Sequence, residues 1–270
     1  SAPPPVPTSA VLLVLASTVL HAGWNARLHR TADPEVVIAL AYLAVGIALL
    51  PAAVVDPPVE VIGAVLASSM AHGAYQTLLG TGYRDGSLGV VYPIARGTAP
   101  LLIGLGGWLL LDERPSVATA VGLVVLLVGL LLLAGLGSRL QERRAVVLAA
   151  GTGLCTVSYS LIDARSVDLT GALGYLSVIM VLSSCTVLLV RRPGWGRLRP
   201  VLGVASLVGV GQGGAYALVL LAFQRAQAGQ VAGLRQVSVV LGVLIAREAL
   251  GTRALWGAVL VAAGAALVVW

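Results

Sequence analysis

The chain has 270 residues, of which 58% are hydrophobic and 10% charged, and its mean hydropathy is +0.97. A water-soluble domain carries about 25% charged residues, so this composition excludes a soluble globular protein and predicts a polytopic membrane protein. The net charge of +6 comes from arginine alone, because the sequence has no lysine. In a membrane protein such an excess normally lies in cytoplasmic loops, so it does not indicate nucleic-acid binding.

Ten apolar segments follow a short N-terminal tail. Residues 1–8 are predicted to be disordered, and no basic n-region precedes the next apolar run, which is therefore predicted to be a membrane helix rather than a signal peptide. Each segment approaches the roughly 20 residues that cross a bilayer. The predicted segments are 9–28, 35–54, 59–80, 86–111, 116–136, 144–162, 171–190, 201–223, 227–246 and 252–270. The loops between them are short, which leaves no room for a soluble domain.

Short motifs recur between the two halves of the chain. Gly-Ala-Tyr occurs at 73–75 in segment three and again at 214–216 in segment eight, and the acidic end of segment four at 112–114 has a counterpart at 247–248. Five segments per half is an odd number, so the second half must enter the membrane from the opposite face. The predicted fold is an all-α polytopic membrane protein whose ten transmembrane helices form two inverted five-helix repeats, as in many secondary transporters.

The loop arginines predict an orientation. Twelve of the 17 arginines lie in loops on one predicted side of the membrane, and three lie in loops on the other. By the positive-inside rule the side with twelve faces the cytoplasm, which puts both termini outside.

The two remaining arginines lie inside apolar segments. Arg96 is in segment four and Arg235 in segment nine, where burying a charge costs several kcal/mol. The acids lie at segment ends or in loops, so neither arginine has an obvious carboxylate partner, although Asp163 and Glu248 could reach inward. Segment nine is also shorter after its arginine than segment four, which predicts that it is short, less tilted or broken.

Other polar side chains share faces of apolar helices. His21 and Asn25 are spaced i,i+4 in segment one, and Ser68, His72 and Gln76 share one face of segment three. Their gathering predicts a polar cavity, although single hydroxyl or amide side chains are also explained by helix–helix hydrogen bonding. The candidate substrate-binding residues are His21, Trp24, Asn25, His72, Tyr75, Gln76, Tyr92, Arg96, Tyr159, Gln212, Tyr216 and Arg235.

Enzyme and metal motifs do not occur in the sequence. It contains no G-x-S-x-G, no H-E-x-x-H and no Walker loop. Cys155 and Cys185 lie in apolar segments, where a packing role explains them. The sequence therefore predicts no metal, no cofactor and no enzymatic activity, although a membrane enzyme that acts on lipid through His21 and Asn25 stays an alternative.

Three motifs together carry a resemblance to a known family. They are His-Ala-Gly-Trp-Asn-Ala at 21–26, the end of segment four at 111–114 leading to Gly122 and Gly129, and Leu-Arg-Gln-Val-Ser at 234–238. With the ten segments and the internal repeat, the chain resembles the EamA-type transporters of the drug/metabolite transporter superfamily over nearly its whole length.

The resemblance implies two EamA repeats, at 9–138 and 139–270, in a multi-pass transporter of the bacterial inner membrane. Such transporters move small metabolites, commonly as exporters, through a central cavity lined by helices such as those that hold His21, Trp24, Tyr75, Arg96, Tyr216 and Arg235. Family members are usually drawn with both termini in the cytoplasm, so the resemblance and the arginine count predict opposite orientations. Whether the protein is a monomer or a homodimer stays open.

The solute is predicted from the buried charges. Related small multidrug resistance proteins exchange protons for cationic drugs through a glutamate in their first helix, whereas segment one here has no acid. Two membrane arginines without a deep acid favour an anionic or zwitterionic carboxylate, such as an amino acid. In this hypothesis Arg96 binds the carboxylate, while Trp24, Tyr75 and Tyr216 form the walls of the cavity.

Several alternatives stay open beside this hypothesis. Protons bound at His21 or His72 are a candidate coupling ion. The solute could instead be neutral or aromatic, with the arginines paired to Glu248, Asp163 or backbone carbonyls. A third interpretation, of another class, is a non-transporting membrane enzyme or assembly protein.

Overall fold

The structure, a computed structural model, describes residues 6–86, 88–97, 99–134, 143–245 and 251–270, and these ranges are almost entirely helical, without a β-strand. The helices are α1 (Thr8–His29), α2 (Pro34–Ala48), α3 (Leu50–Val55), α4 (Ile62–Asp85), α5 (Leu88–Gly97), α6 (Ala99–Leu110), α7 (Val117–Ala134), α8 (Arg143–Ser166), α9 (Ala172–Arg191), α10 (Trp195–Leu198), α11 (Leu202–Phe223), α12 (Ala228–Leu234), α13 (Val237–Ile245) and α14 (Thr252–Val269).

The predicted all-α fold is confirmed for the described residues, while the number of membrane crossings stays a prediction. Five helical stretches are long and apolar enough to cross a bilayer by length and composition. They are Thr8–His29, Arg143–Ser166, Ala172–Arg191, Trp195–Phe223 and Thr252–Val269. Other apolar stretches are shorter or divided: the predicted segment 35–54 forms α2 and α3, and 227–246 includes α12 and α13.

Two helices extend beyond the ends of the segments predicted from the sequence. Segment three was expected to end at residue 80, but α4 continues to Asp85. Segment six was expected to end at residue 162, but α8 continues to Ser166. The extension of α8 matters for function because it places Asp163 within the helix rather than in a loop.

The distribution of polar residues is that of a protein in lipid. Large apolar side chains such as Val54, Met70, Val147 and Val210 are strongly exposed on the outside of the bundle, while 25 polar or charged side chains of the described residues are buried inside it. A soluble protein would show the reverse, because exposing so much apolar surface to water is unfavourable. The outer surface therefore suits a bilayer and the interior suits polar solutes.

Helices of the two halves pack in reciprocal pairs. The third segment, α4, packs on the sixth and seventh, α8 and α9, while the eighth, α11, packs on the first and second, α1 and α2. In addition, α2 in the second segment packs on α9 in the seventh, and α7 in the fifth segment packs on α14 in the tenth. Each contact thus has a counterpart when the two halves are exchanged.

Glycines allow α7 and α14 to approach closely. A Cβ atom on Gly122 would lie 2.8 Å from the carbonyl oxygen of Gly264, and one on Gly257 would lie 2.8 Å from the carbonyl oxygen of Gly129. Side chains at these positions would force the backbones apart, since the obstructing atoms belong to the other helix's main chain. The four glycines therefore form the contact surface between the fifth and tenth segments.

The ninth segment is interrupted at its arginine. Helix α12 ends at Leu234 and α13 begins at Val237. The intervening backbone makes three-residue turns, in which the amide of Gln236 donates to Gly233 and that of Ser238 donates to Arg235. The expectation that this segment is short, less tilted or broken is thus met by a break, and broken helices in membranes normally line protein cavities.

Ion pairs tie together loops on the arginine-rich side. Glu35, at the start of α2, contacts Arg84 at 3.1 Å and Arg191 at 3.5 Å. Asp33 accepts hydrogen bonds of 2.9 and 2.6 Å from Arg197. These contacts join the loops before α2, after α4 and after α9, which the sequence assigns to one side of the membrane.

Candidate functional site

The predicted site residues lie in the interior of the bundle. The side chain of Tyr92 is outside the described residues, and the other eleven candidates are at most 7% exposed. They are His21, Trp24, Asn25, His72, Tyr75, Gln76, Arg96, Tyr159, Gln212, Tyr216 and Arg235. Glu248, which the sequence offered as an arginine partner, is also outside the described residues.

The most connected polar group is the carboxylate of Asp163, which is completely buried. Its Oδ1 accepts hydrogen bonds from the hydroxyls of Ser68 and Tyr175, the latter at 2.6 Å. Its Oδ2 accepts one from the hydroxyl of Tyr216 and lies 3.2 Å from Nε2 of His72. We call these five residues the acid cluster; they join α4, α8, α9 and α11 around one charge.

Aromatic rings extend the acid cluster. The ring of His72 stacks on Tyr159 with centroids 4.0 Å apart, and it meets Tyr216 edge-on at 5.2 Å. Tyr159 also meets Tyr75 edge-on at 5.6 Å. Such contacts fix ring orientations, so the buried acid lies beside a wall of aromatic faces contributed by α4, α8 and α11.

Arg235 adjoins this aromatic wall. Its guanidinium lies over the ring of Tyr216, 5.8 Å from the centroid, which is cation–π distance. The hydroxyl of the same tyrosine donates to Asp163. Tyr216 therefore connects a buried cation to a buried anion through one side chain.

Arg96 lies with the first helix. Its Nη2 is 3.2 Å from Nδ1 of His21 and also contacts Nε2, and His21 meets Trp24 edge-on at 4.9 Å. The charges of Arg96 and Arg235 act on each other and both act on His21. The two arginines, here called the arginine pair, thus belong to one electrostatic environment although they lie in different halves of the chain.

Two other candidates hydrogen-bond to neighbouring helices. Asn25 donates to the carbonyl of His21 and accepts from the hydroxyl of Tyr83 at 2.7 Å. Gln76 donates to Ser183 on α9 at 3.0 Å. These contacts fit the alternative in which single polar residues hold helices together.

Several buried polar atoms have no hydrogen-bond partner among the described residues. They include Nε1 of Trp24, Nδ1 of His72, Oε1 of Gln76 and Oε1 of Gln212. Leaving a buried polar atom unpaired normally costs about 1–3 kcal/mol. The interior therefore holds donors and acceptors that a polar solute could satisfy.

The acid cluster corrects one expectation from the sequence. The acids were expected at segment ends or in loops, with Asp163 and Glu248 able to reach inward; Asp163 does lie inward, but inside α8 rather than beyond its end, and it has no exposed surface. Neither Asp163 nor Tyr175 was among the candidates. A signal was present, because Asp163 follows the candidate Tyr159 by four residues and so shares its helix face.

A cavity of about 340 Å³ lies at the C-terminal ends of α6, α8 and α11. Its lining includes Glu113, Arg165, Asp168 and Arg225, and also Ala164, the neighbour of the buried Asp163. Burial raises the pKa of Asp168 above its usual range, and Arg165 partly offsets this. Charged groups of both signs therefore line an opening next to the buried site.

Comparison with known proteins supports the fold and the predicted resemblance. Residues 8–135 match the model of the EamA-like transporter family. A crystal structure of a protein with 18% sequence identity has a TM-score of 0.75 and covers 96% of this chain and 96% of its own; at this identity the likeness shows the fold alone. No curated protein matches the sequence. The resemblance is thus confirmed over residues 8–135, which contain two of the three motifs.

Proposed function

We propose that the protein, whose residues 8–135 match the model of the EamA-like transporter family, is a multi-pass membrane transporter that moves a small carboxylate-bearing metabolite, such as an amino acid, by alternating access. Export across the bacterial inner membrane is the direction and place that the proposal takes from the family resemblance. The two five-helix repeats are proposed at 9–138 and 139–270.

The balance of buried charge carries the proposal. The acid cluster contributes one carboxylate, Asp163, whereas the arginine pair contributes two guanidinium groups, all at most 5% exposed. Among the described residues, this group of side chains holds more guanidinium groups than carboxylates, and a bound anion lowers the cost of burying a cation in a membrane. A bound carboxylate would neutralise the excess and could accept charge-assisted hydrogen bonds from Arg96.

The reciprocal packing of the halves supports alternating access. An inverted repeat has two equivalent arrangements in which the halves exchange conformations, and each opens the site to one side of the membrane. The contacts of α4 with α8 and α9, repeated by those of α11 with α1 and α2, have the pattern that such a repeat requires. The break at Arg235 adds a flexible point beside the proposed site.

One observation favours a second candidate, a neutral or aromatic solute. Tyr75, Tyr159 and Tyr216 are in edge contact with one another and present apolar faces. In that case the arginine pair would be structural, and binding would be insensitive to the charge of the solute. The proposal and this alternative therefore differ in a measurable way.

The test uses three ligands that share one ring and differ in charge: benzoate, benzamide and benzylamine, together with L-phenylalanine. A ligand that binds the folded state stabilises it by about 2.7 kcal/mol at 100 times its dissociation constant, so the melting temperature of the purified protein reports binding. We expect benzoate and phenylalanine to stabilise the parent and to lose this effect in Arg96→Ala. Arg197→Ala, which removes an equal charge from an exposed loop ion pair, should retain it.

Equal stabilisation of the parent and Arg96→Ala by benzamide would instead favour the neutral solute. Counterflow of labelled phenylalanine into liposomes then separates transport from mere binding. Binding without counterflow would support the remaining alternative, a membrane enzyme or assembly protein.

A further inference from the structure

We infer that Asp163 and His72 form a proton-binding site that is coupled to anion binding at the arginine pair, so that a proton and an anion bind together and cross the membrane together. This inference rests on the proposed function, because it assumes that an anion binds near Arg96 and Arg235. It assigns a second ligand, the proton, to residues outside the proposed carboxylate clamp.

The geometry of the acid cluster suits both protonation states. Asp163 as a carboxylate accepts from Ser68, Tyr175 and Tyr216, and Nε2 of His72 lies 3.2 Å from its Oδ2. A proton taken from water can be held on either partner of this 3.2 Å contact, since imidazole nitrogen both donates and accepts and a protonated carboxyl can donate to it. Either state keeps the contact between Asp163 and Nε2 of His72, while the added proton makes Nδ1 of His72, which has no partner among the described residues, a hydrogen-bond donor.

Tyr216 links the proton site to the arginine pair. Its hydroxyl donates to Asp163, and its ring lies under the guanidinium of Arg235. The carboxylate and the guanidinium are therefore separated by the side chain of one tyrosine. Interactions between charges are stronger inside a protein than in water, so protonation of Asp163 raises the positive electrostatic potential at Arg235.

The sign of the coupling follows from the charges. With Asp163 ionised, the acid cluster and the arginine pair together carry one excess positive charge; with Asp163 protonated they carry two. The protonated state therefore binds an anion more tightly, and by reciprocity a bound anion favours protonation. Proton and anion then move in the same direction, in contrast to an exchanger, in which they compete for one site.

Other titratable and charged groups face this region from each packed helix. They are Tyr42 on α2, Tyr75 on α4, Arg96 on α5, Tyr159 on α8, Tyr175 on α9, Tyr216 on α11 and Arg235 after α12. Tyrosine and arginine titrate well above neutral pH. Within the described residues of this region, Asp163, His21 and His72 are therefore the groups left to bind a proton.

The first measurement needs no solute. Infrared difference spectra of the parent, recorded as the pH falls from about 8 to about 5, should gain the carbonyl stretch of a protonated carboxyl. The band should be missing in Asp163→Asn and present in Glu60→Gln, a variant of an exposed loop acid. A parent that shows neither a carboxyl band that depends on Asp163 nor a change in the ring bands of His72 over this pH range would overturn the proton site while leaving the arginine clamp intact.

The second measurement is benzoate affinity over the same pH range. We expect binding to the parent to tighten by at least about fivefold as pH falls, the lower end of typical coupling energies. Asp163→Asn should bind tightly at every pH, and Glu60→Gln should behave like the parent. If Asp163→Asn does not fold, Tyr216→Phe replaces it, because losing the linking hydroxyl should weaken the pH dependence.

The failures of the two proposals are distinguishable. Benzoate affinity that does not change with pH overturns the coupling but keeps the carboxylate clamp. Absence of benzoate binding at every pH overturns the clamp and the coupling with it, whatever the infrared titration shows.

Discussion

Tyr216 takes part in two buried interactions, and its hydroxyl and its ring can be tested separately. The substitution Tyr216→Phe keeps the ring under Arg235 but removes the hydrogen bond to Asp163. Because the acceptor is a buried carboxylate, we expect a loss of about 1.5–3 kcal/mol in the free energy of unfolding, the range for hydrogen bonds to charged groups. The measurement is the melting temperature of the purified protein in detergent.

Tyr159→Phe is the matched control for Tyr216→Phe. It removes a tyrosine hydroxyl from the same aromatic group, but that hydroxyl donates to the neutral Thr156 at 3.4 Å. The loss should be at the lower end of hydrogen-bond contributions, about 0.5 kcal/mol. Equal destabilisation by the two substitutions would mean that the hydrogen bond from Tyr216 to Asp163 contributes no more to stability than the one from Tyr159 to Thr156.

At the scale of helices, the contact between α7 and α14 depends on glycine. Gly129→Ala places a methyl group 2.8 Å from the backbone nitrogen of Val261, and this atom cannot move without shifting α14. Overpacking of this kind costs about 1–3 kcal/mol, and we expect a lower melting temperature. Gly203→Ala, on α11, meets no atom within 4 Å and should be neutral or slightly stabilising because alanine favours helix. A neutral Gly129→Ala would contradict the close crossing.

The start of α12 is held by an acid from the other half of the chain. Glu113 accepts a hydrogen bond of 2.6 Å from the amide of Ala228. Burial raises the pKa of the Glu113 carboxyl, and the hydrogen bond from Ala228 lowers it only in part. The folded protein therefore binds a proton here more readily than the unfolded chain.

This raised pKa predicts how stability depends on pH. A group that binds protons more tightly in the folded state loses stability as the pH rises from its unfolded pKa through its folded pKa. The parent should thus lose stability, relative to Glu113→Gln, as the pH rises above the ordinary range of a glutamate. Parallel pH profiles of unfolding for the two proteins would contradict this, and Glu60→Gln serves as the exposed control.

The helices were more predictable from sequence than the site. A chain in lipid must satisfy its backbone hydrogen bonds internally, so hydropathy placed α1 and α9 to within one residue at each end. Hydropathy also predicts that segment six ends before Asp163, because a charged residue normally lies outside the membrane. The partners that allow this acid to be buried lie on α4, α9 and α11, and nothing local in the sequence shows that folding brings them together.

At the scale of the whole molecule, different contacts hold the two ends of the helix bundle together. At one end, ion pairs such as Glu35 with Arg84 join loops to one another. At the other end, Glu113 caps α12, and the side-chain amide of Gln227 donates a hydrogen bond to the backbone carbonyl of Arg114. If the halves exchange conformations as proposed, one of these sets of contacts must open while the other stays closed.

The orientation of the protein in the membrane can be tested by labelling. The arginine count places the ion-paired end inside, whereas the family resemblance implies the reverse. Single cysteines can decide this in a protein whose native Cys155 and Cys185 are replaced by alanine. Leu169→Cys, on the arginine-poor side, replaces a side chain that is 53% exposed, and Gly196→Cys lies in the short helix α10 on the arginine-rich side, with open space around its Cβ.

We expect a membrane-impermeant maleimide to label the cysteine at position 169 in intact cells, and to label the one at position 196 only after the cells are permeabilised. The physical reason is that arginine-rich loops are retained in the cytoplasm during insertion. Labelling of position 196 alone in intact cells would instead place the termini in the cytoplasm. The 340 Å³ cavity at the ends of α6, α8 and α11 would then open to the cytoplasm.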